Sequence, residues 1–245
     1  MAAVSPYHEG VPVRLAEPAT VTGDIQRRRF GRTEIQMPVF SCGGMRTQQG
    51  PHTDGMKPED VEADCQRNLD DIVKRSLELG INHFETARVC EYATSLNTRD
   101  CASVSPATAD IAARCERADG CSELMYGVTI KKAISDWGYK REDMIIQTKL
   151  TFRTDCVETF RSGLEDCFER MQMTGDDEYF DLFSFHNIMR DEQIGWITRK
   201  GGLMEVVEEY RAKGKIKWVG FSTHAMTPTA VKACDSGVFD YINVH

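Results

Sequence analysis

No stretch of this 245-residue chain approaches the roughly 18 to 20 consecutive apolar residues that span a bilayer. The first residues also lack the compact apolar segment of a secretory leader. A soluble, cytoplasmic protein without a membrane partner is expected. Basic excess is missing too: 30 Lys and Arg stand against 38 Asp and Glu, a formal net charge of -8. Phosphate-backbone binding needs clustered cations, so nucleic acid is excluded as a partner. Nine cysteines are present, an odd number, and no two are spaced C-x-x-C. Neither a disulfide framework nor a metal site is supported, and reduced thiols are expected. Four of the nine, Cys90, Cys101, Cys115 and Cys121, fall close together, with gaps of 11, 14 and 6 that fit no metal-ligand pattern. A G-x-G-x-x-G phosphate turn is absent as well; the turn after the first strand reads "SCGGMR".

What remains is a regular α/β alternation. Residues 1–25 are rich in Ala, Pro, Val and Gly without periodicity and read as a mobile arm; residues 26–245 read as one barrel domain. A small hairpin should open it, followed by a first core strand over "MPVFSCG". Leu69, Ile72, Val73 and Leu77 recur at helical spacing before Gly80, a natural C-terminal cap. Val157, Phe160, Leu164, Cys167, Phe168 and Met171 mark a second helix, with Asp155 and Glu158 spaced as a capping box. Leu203, Val206, Val207 and Tyr210 mark a third, and Thr227 with Pro228 opens a fourth as N-cap and N1. Strands fall between them at "INHFE", "MIIQTK", "YFDLFSFH", "KWVGFST" and "FDYINVH". Such alternation gives a parallel sheet with right-handed crossovers, either doubly wound or closed as a barrel. Without a glycine-rich phosphate turn, the TIM-type barrel fits better.

In such barrels chemistry sits at the carboxyl ends of several strands. Here those ends carry Glu85, Lys149, His186 and the pair Ser222 and Thr223. Any one of them could simply be a polar residue entering solvent. Four in register point to a site. Lys149 to His186 is 37 positions and His186 to Thr223 is again 37, one βα repeat, whereas Glu85 to Lys149 is 64.

The ordered segments "GRTEIQMPVFSCGGMR", "GINHFETAR", "CSELMYG", "IIQTK", "YFDLFSFH", "YRAKGKIKWVGFST" and "FDYINVH" resemble the aldo/keto reductase family, in particular a subgroup with Glu in place of the usual strand-end Asp. The resemblance implies an eight-stranded barrel that passes hydride from NADPH to a small aldehyde or ketone. It implies a catalytic carboxylate, lysine and histidine at Glu85, Lys149 and His186, and nicotinamide contacts from Ser222, Thr223 and Asn243. His224 and His245 could face the substrate. Only six of the eight strands are found, so a truncated, incomplete barrel is expected.

The family's fourth residue is a tyrosine five positions after the carboxylate, and that position is Cys90. Tyr126 of "MYG" reads as a helix residue, and Tyr92 has no matched neighbours. Residues 90–119 form an irregular insert with little bulky apolar content. A family-specific insertion explains its length. A retained intron explains more: synonymous codons for residues 89–92 can spell a splice donor and those for 118–120 an acceptor. Joining them restores a tyrosine at the required place. Either way, impaired reductase activity is expected, the alternative being a non-catalytic barrel fragment.

Overall fold

A computed structural model describes residues 23–44, 56–88, 121–176 and 178–244. Most of the expected arm and the whole of 90–119 lie outside these residues. The chain opens with an antiparallel hairpin, as its sequence suggests, of β1 (Arg27–Arg29) and β2 (Gln36–Pro38). There follow β3 (Cys42–Gly43), α1 (Ala63–Glu78), β4 (His83–Glu85), α2 (Cys121–Ser135), β5 (Ile145–Thr151), α3 (Val157–Arg170) and β6 (Phe180–His186). After these come α4 (Asp191–Thr198), α5 (Leu203–Ala212), β7 (Ile216–Thr223), α6 (Thr227–Asp235) and β8 (Tyr241–Val244). Strands β3 to β8 pair in chain order, every pair parallel, in one six-stranded sheet.

The sheet is curled as an incomplete TIM-type barrel. Gln147 on β5 and Asn243 on β8 are three strands apart, ~14 Å in a flat sheet at ~4.8 Å per strand. Their side chains nevertheless meet at 3.0 Å, Gln147 Nε2 donating to Asn243 Oδ1. Alternation along each strand builds two faces. On β5, Ile146 and Leu150 are buried toward the helices, whereas Gln147 and Lys149 face the interior. On β6, Phe183 and Phe185 meet Phe160 of α3, the last pair stacked with centroids 5.2 Å apart, whereas Ser184 faces in. The core therefore lies between sheet and helices, as aromatic burial favours. Turn chemistry follows the sequence at Gly80. Its φ of +86° is open to glycine, and the bonds from Gly80 and Ile81 N–H to the Leu77 and Ser76 carbonyls close α1.

Five details differ from the sequence reading. The run "MPVFSCG" is divided, because Pro38 has no N–H to give a ladder: it ends β2, and only Cys42 and Gly43 enter the main sheet. Asp155 does not cap α3. Its carboxylate is drawn to Arg199 at 2.7 Å, and Cys156 takes the N-cap position without a side-chain bond. Thr227 is the first residue of α6 and Met226 the cap, with Pro228 in the first turn as expected. A helix not foreseen, α4, lies between β6 and α5; its eight residues are too few to show a helical period. Cys156 is also disulfide-bonded, against the expectation of reduced thiols throughout, whereas Cys42, Cys65, Cys121, Cys167 and Cys234 are free.

Candidate active site

Glu85 closes β4, with Gly43 and Gln147 as its ladder neighbours. Lys149 lies two residues past Gln147, so the pleat puts both side chains on the inner face. There the Lys149 ammonium donates to the Glu85 carboxylate and, at 3.2 Å, to the Thr86 carbonyl. The pair is largely enclosed, with side chains 12% and 27% exposed. Burial pushes the Glu85 carboxyl up, but the Lys149 charge and hydrogen bond outweigh it, helped by His83 and His186, and hold it below its ordinary range. The extra methylene of Glu relative to Asp does not prevent the pairing.

His186 closes β6 opposite Thr151, whose hydroxyl lies 3.1 Å from Nδ1. That contact engages one ring nitrogen and leaves Nε2 for a ligand. Burial first, then the Lys149 charge, pushes the imidazole down to about 4 against the pull of Glu85. His186 is therefore neutral near pH 7. Lys149, Glu85 and His224 all lie within electrostatic reach of it, so the three strand-end groups singled out in the sequence share one rim. A small cleft lined by Leu150, Thr151, Phe152, Cys156, Thr159 and Phe160 lies between the end of β5 and α3.

The other three candidates divide. Ser222 Oγ accepts the Asn187 N–H at 2.9 Å. Thr223 Oγ1 donates to the Ile188 carbonyl at 2.5 Å and accepts the Ala225 N–H at 2.8 Å. Both hydroxyls thus stitch the exit of β6 to that of β7. Asn243 instead faces the interior and is half-buried. Beside His186, Asn187 holds a φ of +65°, which Asn tolerates better than most residues, and its Oδ1 is buried with no hydrogen-bond partner. An acceptor awaiting a donor fits a ligand that itself carries a primary amide, such as a nicotinamide ring. Among the described residues, no group of three or more His, Cys, Asp or Glu could hold a metal ion, and no helix is long and apolar enough to cross a membrane.

Two described tyrosines feel the Glu85 charge. Tyr126 is buried in α2, as its place in a helical run suggests, and its hydroxyl donates to the Cys42 carbonyl at 3.2 Å. Tyr241 crosses the interior to Ser184 Oγ at 2.8 Å. Burial raises both phenols well above 10. Position 90, Tyr92 and His245 lie outside the described residues. Reading the sequence by strand ends alone missed Gln147, Thr151 and Asn187. The first two were marked by sharing the inner-face parity of Lys149 in "IIQTKLT", whereas nothing local marks Asn187.

The profile of the aldo/keto reductase family matches residues 41–239. Among solved structures, a thermostable aldo-keto reductase in complex with the inhibitor epalrestat superposes with a TM-score of 0.59 at 17% identity, covering 89% of this chain and 61% of that one. An aldo-keto reductase from Bacillus halodurans, in its holo form, gives 0.57 at 19% identity, covering 90% and 57%. An aldo/keto reductase from Brucella melitensis gives 0.53 at 16%, covering 90% and 63%. The chain thus spans about six-tenths of the length of these structures, and at such identities the likeness concerns the fold. No curated protein matches.

Proposed function

Because this chain belongs to the aldo/keto reductase family, we propose that it carries out hydride transfer between NADPH and a small aldehyde or ketone, with Glu85, Lys149 and His186 as its catalytic residues. The observation that carries this reading is the enclosed Lys149 and Glu85 pair on the same rim as a neutral His186. NADPH, when bound, supplies the hydride. Asn243 and Asn187 would hold its nicotinamide amide, and Ser222 and Thr223 would keep that rim in shape. With Nδ1 at Thr151, the His186 ring can donate through Nε2 to the substrate carbonyl oxygen and so orient it. The Lys149 ammonium, fixed by Glu85 and the Thr86 carbonyl, favours the negative charge that develops on that oxygen.

That oxygen must finally be protonated, and slow turnover is expected. A neutral imidazole has no spare proton to release, and Tyr126 and Tyr241 are too weakly acidic to serve near pH 7. The same observation favours a second reading, a non-catalytic barrel that binds the dinucleotide without turning it over. One experiment separates the two. Tryptophan fluorescence should be quenched by NADPH, and NADPH should be oxidised in the presence of a nitro-substituted benzaldehyde at a rate that Lys149→Met abolishes. Quenching without oxidation leaves the second reading; no quenching sinks both. A cytoplasmic location is part of the same reading.

A further inference from the structure

A line of hydrogen bonds crosses the interior from β3's approach to β8, and its polarity is readable. Ser41 Oγ lies 2.7 Å from His83 Nδ1, and His83 Nε2 lies 3.0 Å from Gln147 Oε1. An amide oxygen only accepts, so the His83 proton sits on Nε2, and Nδ1 accepts from the Ser41 hydroxyl. His83 is buried, which favours the neutral ring. With Oε1 committed to His83, Gln147 points its NH2 the other way, to Ser184 Oγ at 3.2 Å and Asn243 Oδ1 at 3.0 Å. Ser184 Oγ receives Gln147 and shares a hydrogen bond of 2.8 Å with Tyr241 Oη, with Asn243 Oδ1 3.5 Å away.

The Asn243 oxygen is therefore held from inside the barrel by the Gln147 NH2 at 3.0 Å. The amide has two ends, and the inner end is fixed as the oxygen. Its NH2 is left for the open side of the sheet. The line also depends on shape: a Cβ at Gly220 would fall 2.5 Å from the Tyr241 ring, so glycine there lets Tyr241 lie across the interior and reach Ser184.

We propose that Gln147 is a positioning residue that, oriented by His83, makes Asn243 present an N–H donor, not a carbonyl acceptor, to the nicotinamide amide of the cofactor. This rests on the reductase reading above but goes beyond it, because it states which end of Asn243 meets the ligand and what sets it. Gln147→Glu keeps an acceptor for His83 but cannot donate to Asn243, so the Asn243 amide should turn over and offer its oxygen. Gln147→Leu removes the partner altogether and frees the amide to rotate.

The test is NADPH binding by tryptophan quenching, with near-UV circular dichroism to confirm that each variant is packed. Loss of one well-made hydrogen bond weakens binding about tenfold. Gln147→Glu and Gln147→Leu are each expected to raise the Kd about tenfold, and Asn243→Ala by a similar factor. Combining Gln147→Leu with Asn243→Ala should raise it no further than Asn243→Ala alone, since Gln147 acts through Asn243. Additive losses would show that Gln147 matters only for packing and would overturn the inference. Unchanged NADPH binding in both Gln147 variants would overturn it too while leaving the reductase reading intact. Absence of NADPH binding by the unmodified chain would remove the reductase reading and this inference together.

Discussion

Two ionic clusters sit at opposite ends of the same strands, and they are built differently. At the amino-terminal end, the Asp181 carboxylate accepts from Arg141 Nη2 at 2.8 Å, Lys217 Nζ at 3.1 Å and the Ile146 N–H at 3.0 Å. Both cations also flank the Tyr179 ring, at 4.0 Å for Arg141 and 3.8 Å for Lys217. The Asp181 carboxylate is met on both oxygens by its own neighbours. At the carboxyl-terminal end, Lys149 holds Glu85 and one carbonyl, His186 keeps Nε2 available, and Asn187 Oδ1 is buried without a partner. A cluster whose carboxylate is met on both oxygens has no acceptor left for a ligand and serves stability. An incomplete one carries hydrogen-bonding capacity that a ligand can fill, which is the division of labour expected between the two faces of such barrels.

Removing one member at each end should break the comparison in opposite ways. Asp181→Ala leaves two cations without their buried acceptor and is expected to destabilise the fold by about 3–5 kcal/mol in chemical denaturation. Whatever remains folded should bind NADPH normally. Lys149→Met should act at the other end, lowering the NADPH-dependent reduction rate about a hundredfold or more while shifting the denaturation midpoint far less. If both variants lost stability equally, the two clusters would not differ in kind.

Acidification sharpens the contrast. His186 has a folded-state pKa of about 4 against an ordinary 6.5, and His83 is depressed in the same direction, each chiefly by burial. Between those values the unfolded chain takes up protons that the folded chain refuses. The His186 contribution is therefore full above pH 6.5 and lost as pH falls toward 4, at up to about 1.4 kcal/mol per pH unit, and His83 adds a loss of the same sign. His186→Gln should reduce that slope in a series of denaturation curves and leave that of His83. Asp181, held below its ordinary value by Arg141 and Lys217 although burial alone would raise it, should add nothing in this window. The smallest effect is expected from Tyr179→Leu. It removes the ring between two cations while leaving their bonds to Asp181, and should cost about 1 kcal/mol.

Much of this was legible in the order of residues. Hydrophobic spacing marked α1, α3 and α5, because one apolar stripe per helix must face the sheet, and the Thr227 and Pro228 pair marked α6. The polar residues ending otherwise apolar runs marked Glu85, Lys149 and His186, since an ionisable group at a strand end reflects a register that the strand itself imposes. The short α4 was not legible, as eight residues with three buried positions show no clear period. The failed cap at Asp155 was not legible either: a local pattern competes with Arg199, 44 residues away, and only the fold decides the winner.

The sequence by itself determined the parallel α/β architecture and the three groups at the strand ends, because both follow from periodicity along one chain. Tertiary structure alone decided which end of Asn243 is fixed, that Ser222 and Thr223 bind the rim together, and that Tyr126 and Tyr241 are poor acids. The physical reason is curvature. Hydrogen-bond polarity, burial and the charge felt by each group depend on residues brought across the interior by the curl of the sheet, from strands that are neighbours neither in sequence nor in the ladder.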